Sequence, residues 1–172
     1  MAHNMPLKAT SSVITISNLT TETAANTFTQ AEIDLQLSPL DNEVFVVLAV
    51  DTAPAPPDAL DGVDTATSVS VSTTSRTSVG SIGNNNVIAA GQALIRSAGL
   101  TGGGVGFQQF SGETPTANLD YIAIIATNNF FVQIEGLGNA AAKNSGVRLW
   151  GYRARADAAQ YAALVQSEVL SV

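Results

Sequence analysis

The sequence predicts a mainly β protein: an antiparallel β-sandwich, jelly-roll-like, with a short helix near 86–98 and a C-terminal helix near 157–169. Three observations carry that expectation. Hydrophobicity alternates with period two over 28–40 and 145–156, apolar β-branched runs fill 43–51 and 121–135, and Pro-, Gly- or Ser/Thr-rich stretches separate them. Strands of both half-buried and fully buried type, joined by turn chemistry, pack as two antiparallel sheets.

The elements follow in order. "SSVITIS" (11–17) sets Val13 against Ile14 and Ile16 and reads as a short strand. In "FTQAEIDLQLSPL" (28–40), Ala31, Ile33, Leu35 and Leu37 share one face, while Gln30, Glu32, Asp34 and Gln36 share the other; Pro39 ends this half-exposed strand. "EVFVVLAVD" (43–51) is apolar on both faces and reads as a central strand, with "SPLDN" as the turn of a hairpin joining it to the strand before. Pro54, Pro56 and Pro57 make 52–64 a surface loop. Ten of the fourteen residues in 65–78 are Ser or Thr, with Val69 and Val71 alternating through them. This predicts an edge or outer strand whose polar face carries hydroxyls.

Residues 84–99 carry a helical signal. Val87, Ile88, Gly91, Leu94, Ile95 and Ala98 form one stripe, with Asn residues before it and Gly99 after. The Gly-rich stretch 100–120 predicts a loop with a short strand at Val105–Phe110, and 121–127 and 129–135 predict two core strands turning at Asn128–Asn129. The last strand is "SGVRLWGYRARA" (145–156). Asp157 and Gln160 have capping-box spacing for a final helix, whose stripe is Ala158, Tyr161, Ala162, Val165 and Val169. The expected organisation is one domain over 1–172, with 1–10 a flexible terminus or arm and 52–64 a Pro-rich loop.

Composition restricts the class of function. Hydrophobic residues make up 45% of the chain and charged residues only 12%, so hydroxyls, amides and small side chains must cover much of the exterior. Such a surface is cheaper to bury than a charged one and favours assembly. A net charge of −7 argues against direct nucleic-acid binding. No stretch has the length and apolarity of a membrane span, and the first residues lack a secretory signal pattern. Cysteine is absent, which excludes thiolate chemistry and disulfides.

The motifs that could carry chemistry are weak. The only histidine is His3, at a terminus, which disfavours triad catalysis and His-based metal sites. Asp58, Asp61 and Asp64 recur at three-residue spacing around Gly62 without the spacing of an EF-hand, and read as a solvated acidic loop rather than a Ca²⁺ site. "TGGGVGF" (101–107) lacks the Lys-Ser/Thr of a phosphate loop. Glu32 and Asp34 share a polar strand face, a spacing open to glycosidase-like acids but common on exposed strands. No catalytic residue, cofactor or metal is therefore expected.

One cluster stands out. Lys143, Arg148, Arg153 and Arg155 are four of only seven basic residues, and they fall within thirteen positions beside the only tryptophan, Trp150. Alternation puts Arg148, Trp150 and Tyr152 on one strand face, with Val147, Leu149, Gly151, Arg153 and Arg155 on the other. Arg148, Trp150, Tyr152, Arg153 and Arg155 are the interface candidates. The arginines are expected to pair with carboxylates such as Asp157 or Glu135, or with those of another subunit.

Residues 128–157, "NNFFVQIEGLGNAAAKNSGVRLWGYRARAD", resemble the closing strands of small β-rich virion proteins of tailed phages and related prokaryotic viruses. That resemblance implies a capsid component or a capsid-decorating (cement) protein. It implies a homo-oligomer, with a trimer favoured, contacting other capsid proteins at the surface or in the shell of a virion and made in the host cytoplasm. The chain lacks the basic N-terminal arm that packs genomes in many shell-forming coats, since no Lys or Arg lies between Lys8 and Arg76. The other expectation left open is a carbohydrate- or receptor-binding sandwich, with Trp150, Tyr121 or Tyr152 as a sugar platform.

Overall fold

A computed structural model describes residues 7–99, 108–111 (backbone only) and 119–171. The strands are β1 (Lys8–Ala9), β2 (Ile14–Thr21), β3 (Thr29–Asp34), β4 (Glu43–Pro54), β5 (Thr65–Ser72), β6 (Val87–Ile95), β7 (Gln108–Ser111), β8 (Ala123–Ile125), β9 (Asn129–Leu137) and β10 (Asn144–Arg155). Among the described residues a single α-helix follows, α1 (Ala158–Leu170). The protein is mainly β, and every strand pairing is antiparallel.

Two sheets face each other. One runs β2-β10-β4-β8, with β1 continuing the β2 edge along β10; the other runs β3-β9-β5-β6-β7. Four antiparallel pairs, β2·β10, β3·β9, β4·β8 and β5·β6, nest inside one another along the chain, which crosses between the sheets at each connection from β2 to β5 and from β7 to β10. This is jelly-roll connectivity with β7 added at one edge.

The core lies between the sheets. Phe45, Val47 and Val50 of β4, Val69 and Val71 of β5, Phe130 and Val132 of β9, and Val147 and Leu149 of β10 form one buried cluster with Leu35, Leu37, Ala89 and Ile125. A bulge keeps β4 in phase with this core: Ala49 opposes Trp150 but Val47 opposes Gly151, so Leu48 is the extra residue. Val44 and Val46 therefore face outward, while Val50 and Thr52 return to the inside. The outward pair joins Ala126, Ala154 and Ala156 in a second cluster, covered by Tyr161, Leu164 and Val165 of α1. Asp157 caps α1 by accepting from Gln160 N. The covered face is rotated from the predicted stripe: Ala158, Ala162 and Val169 are exposed, and Glu168 is buried in their place.

Three strand expectations require correction. The 84–99 helix is strand β6, paired with β5 and β7. Its Ala89, Gly91, Ala93 and Ile95 form a period-two buried face, and sheet pairing overrides alanine's helical preference. β3 and β4 are no hairpin, because they belong to opposite sheets. "SPLDN" does turn, as a 3₁₀ turn at Pro39–Asp41 closed by Asn42 at φ 52°, but it carries the chain across the sandwich. Finally, β5 is central rather than an edge, lying between β6 and β9 with seven of its eight residues buried. The two strands expected on either side of Asn128 are present as β8 and β9, in different sheets.

The 52–64 loop is shorter than expected, since residues 52–54 complete β4, and Lys8–Ala9 of the expected N-terminal arm pair with Arg155 and Ala154. A strand is present at Gln108–Ser111, while most of the Gly-rich stretch, including "TGGGVGF", lies outside the described residues.

Candidate functional site

β10 is the centre of its sheet, so it holds the predicted cluster on a rigid element. The alternation is as the sequence indicates. Arg148 is exposed and Trp150 half-buried on the outer face, where the Arg148 guanidinium lies 5.9 Å from the Trp150 ring centroid. Arg148 also donates Nε to Ser17 Oγ at 3.4 Å. Tyr152, on the same face, packs with the α1 cluster, so it does not share an open platform with Trp150.

Arg153 turns to the end of the sandwich. Its guanidinium donates to Leu35 O at 2.8 Å and Gln36 O at 3.0 Å, and lies 3.6 Å from Glu43. It thereby holds the crossing segment that follows β3, where Gln36 sits at φ 53°. Arg155 pairs with Asp41 at 3.1 Å in the open, and Lys143 pairs with Asp58. Neither Asp157 nor Glu135 is used. Arg148 departs from the expectation: among the described residues no carboxylate lies within ion-pair distance of it.

The carboxylates that composition leaves conspicuous serve as staples for loop backbone. Glu22 is buried and accepts from Thr27 N, Gly136 N and Lys143 N, tying the β2–β3 loop to β9 and β10. Nothing in its surroundings in sequence marked this residue. Asp58 accepts from Lys143 Nζ and from the N–H groups of Ala140 and Ala141, and Asp64 accepts from Ser97 N and Ala98 N. The 58–64 carboxylates are thus engaged rather than merely solvated, with only Asp61 left exposed. Lys143 first, then the two alanine amides, hold the Asp58 carboxyl below its ordinary range; the Ala98 and Ser97 amides do the same for Asp64. Glu32 and Asp34 each accept from an Asn side chain at the start of β9. Among the described residues no three His, Asp or Glu side chains gather as a metal site.

A pH effect follows. Depressed carboxyl pKa values contribute stability that is present above the ordinary aspartate pKa of about 4 and lost as pH falls through the lowered values. Acid should therefore loosen the 55–64 and 138–143 loops before the sheets melt, seen as early loss of amide protection at Ala140, Ala141 and Ala98. Asp58→Asn should remove the Asp58 share of that acid dependence, leaving Ala140 and Ala141 less protected already at neutral pH.

Glu168 has the opposite sign. Burial raises its carboxyl pKa, partly offset by Ala126 N and Thr127 N donating to it at 3.0 and 2.9 Å. It fastens α1 to the corner between β8 and β9, beside a cavity of about 310 Å³ lined by Thr73, Asn86, Ile122 and Leu164.

The outer face of the other sheet is mostly roofed. Gln133 is fully buried there, accepting from Ser70 Oγ and donating to Ser72 Oγ and Gln30 Oε1. The 73–86 loop closes over this network through Gly80 N to Ser70 Oγ and Arg76 N to Gln30 Oε1. Beyond the roof lies an open groove of about 670 Å³, with Ser68, Gln92 and Glu135 on its floor and Val79, Ile82 and Leu137 on its walls. Gln92 donates to Ser68 Oγ at 3.0 Å, and the Glu135 carboxylate has no hydrogen-bond partner among the described residues.

Fold and surfaces define a jelly-roll β-sandwich whose buried polar groups serve architecture, with the β2 flank of one sheet and the groove over Ser68, Gln92 and Glu135 of the other left open. Comparison with protein-family models and with curated proteins finds no match to this chain. Among the described residues no helix is long and apolar enough to cross a membrane.

Proposed function

We propose that this protein is a non-enzymatic structural component of a viral particle, a capsid or capsid-decorating protein that self-associates and stabilises a shell through low-charge interfaces. The observation that carries the reading is the open flank of the β2-β10 sheet. Exposed Leu19 of β2 lies there on the same sheet as half-buried Trp150, among Thr15, Ser17 and Thr21, and exposed Val13 directly precedes the strand. Burying such a surface desolvates few charges and removes apolar area from water. The jelly-roll connectivity and the resemblance of residues 128–157 to virion proteins point the same way, the first as a fold-level analogy.

Light scattering after gel filtration should give a mass of at least two chains at micromolar concentration. A monomer at every concentration would overturn the reading.

A carbohydrate- or receptor-binding module is the second reading, favoured by the groove with its unpaired Glu135 beside Gln92 and Ser68. It predicts reproducible glycan-array binding that is lost in Glu135→Ala; binding unchanged by that substitution, or none at all, counts against it.

A further inference from the structure

Among the described residues, the free edge of β2 differs from the other sheet edges. β3 carries Glu32 and Asp34, which would face like charges if copies met along it; β7 has four residues and β8 only three. Proteins commonly block edges by charge, proline, bulges or shortness. β2 has none of these: Ile14–Thr21 is eight residues of uncharged "ITISNLTT", in unbroken register with β10. Antiparallel pairing turns alternate N–H and C=O groups of β2 away from β10. Among the described residues no hydrogen bond reaches them.

We propose that this edge is an interface between two copies of the chain, in which β2 pairs antiparallel with β2 of the second copy about a two-fold axis at Ile16. The inference rests on the self-association reading above and names its contact. A second copy is the occupant because the edge is self-complementary. Two-fold antiparallel pairing opposes residues that share a face. Centred on Ile16 and continued one residue past the start of β2, it sets Val13 against Leu19 of the second copy, and the symmetric pair at the other end does the same. Thr15 meets Ser17, and Ile16 meets itself at the inner face. Val13 and Leu19 are 56% and 66% exposed in the single chain, and this register covers both with each other. No charge is buried, so the contact escapes the repulsion that net −7 imposes elsewhere. The result is one continuous sheet, β8-β4-β10-β2 running into its two-fold copy. An isologous contact of this kind makes the mass an even multiple of the chain, so any trimer built through other surfaces is doubled to six.

Paired double substitutions on the full chain test the contact and its register together. Val13→Lys/Leu19→Lys sets like charges opposite each other at both ends of the seam; Val13→Lys/Leu19→Glu sets opposite charges there. Both positions are exposed, and circular dichroism checks that each variant keeps the wild-type fold. Light scattering should show the first variant at half the wild-type mass and the second at the wild-type mass. If the wild type is oligomeric and the two variants have equal mass, whether intact or halved, the β2 contact is wrong while self-association stands. A monomeric wild type removes both.

Discussion

Gly151→Ala is expected to destabilise the fold by about 3 kcal/mol, among the larger effects of a single methyl group. A Cβ at this position would lie 2.3 Å from Phe45 Cε1 and 2.3 Å from Val46 O. The carbonyl belongs to the adjacent central strand, so no rotamer change relieves the contact; β4 and β10 would have to separate at the bulge that keeps Val47 and Val50 facing inward. Phe45 is fully buried, so its ring can move only by displacing packed neighbours. Urea denaturation should show a lower midpoint with an unchanged slope. A midpoint within error of wild type would mean that the close approach of Gly151 to β4 is misplaced.

Glu22→Ala is expected to cost about 3–4 kcal/mol, from unmade hydrogen bonds rather than lost packing. The Glu22 carboxylate gathers three backbone N–H groups from three separate segments: Thr27 at 3.0 Å, Gly136 at 2.6 Å and Lys143 at 2.8 Å. Alanine leaves those donors without an acceptor, and Gly136 is buried where water cannot substitute. Glu22→Gln should cost less, because one oxygen keeps Thr27 and Gly136 while the amide nitrogen faces the Lys143 N–H. The same urea titration checks the order wild type, then Gln, then Ala. Equal stability of Gln and Ala variants would show that the carboxylate is not a three-way staple.

Much of the architecture was legible in the sequence because the strands with clear physical signatures are the ones that organise it. Apolar residues on both faces of 43–51 indicated a central strand, and β4 is central; alternation over 145–156 placed Val147 and Leu149 inside and Arg148 outside. Asp157 marked the start of α1. The misreadings share a cause, in that local patterns could be satisfied in more than one way. Val87, Ile88, Gly91, Leu94 and Ile95 fit a helical stripe, yet the small residues Ala89, Gly91 and Ala93 fit a strand packed under a close neighbour equally well. Turn chemistry at 38–42 signals a reversal but not whether the chain stays in its sheet. Hydroxyl-rich β5 looked peripheral because nothing local shows that Gln133, more than sixty residues away, and the 73–86 loop satisfy Ser70 and Ser72.

The basic cluster was legible in position more than in partners. Arg153 and Arg155 do meet carboxylates, but Glu43 and Asp41 come from the far side of the β3–β4 crossing, a juxtaposition made by topology. Arg153 acts mainly on the Leu35 and Gln36 carbonyls, so it is a fastener of that crossing. Arg148 and Trp150 alone of the five candidates are left for an outside contact, on the strand beside β2. Glu22 and Glu168 carried no sequence signal, because a carboxylate that caps distant backbone N–H groups needs no local motif.

The proposed self-association joins copies of this jelly-roll through surface of low charge. Sedimentation equilibrium of the full chain from about 1 to 100 µM, at low and high salt, tests it most directly. Assembly across uncharged β2 edges predicts a mass of two chains or a higher even multiple that changes little with salt, because no ion pair is formed or screened at the seam. A single-chain mass throughout the range, or an assembly that dissolves as salt is raised, would overturn assembly through the β2 edge.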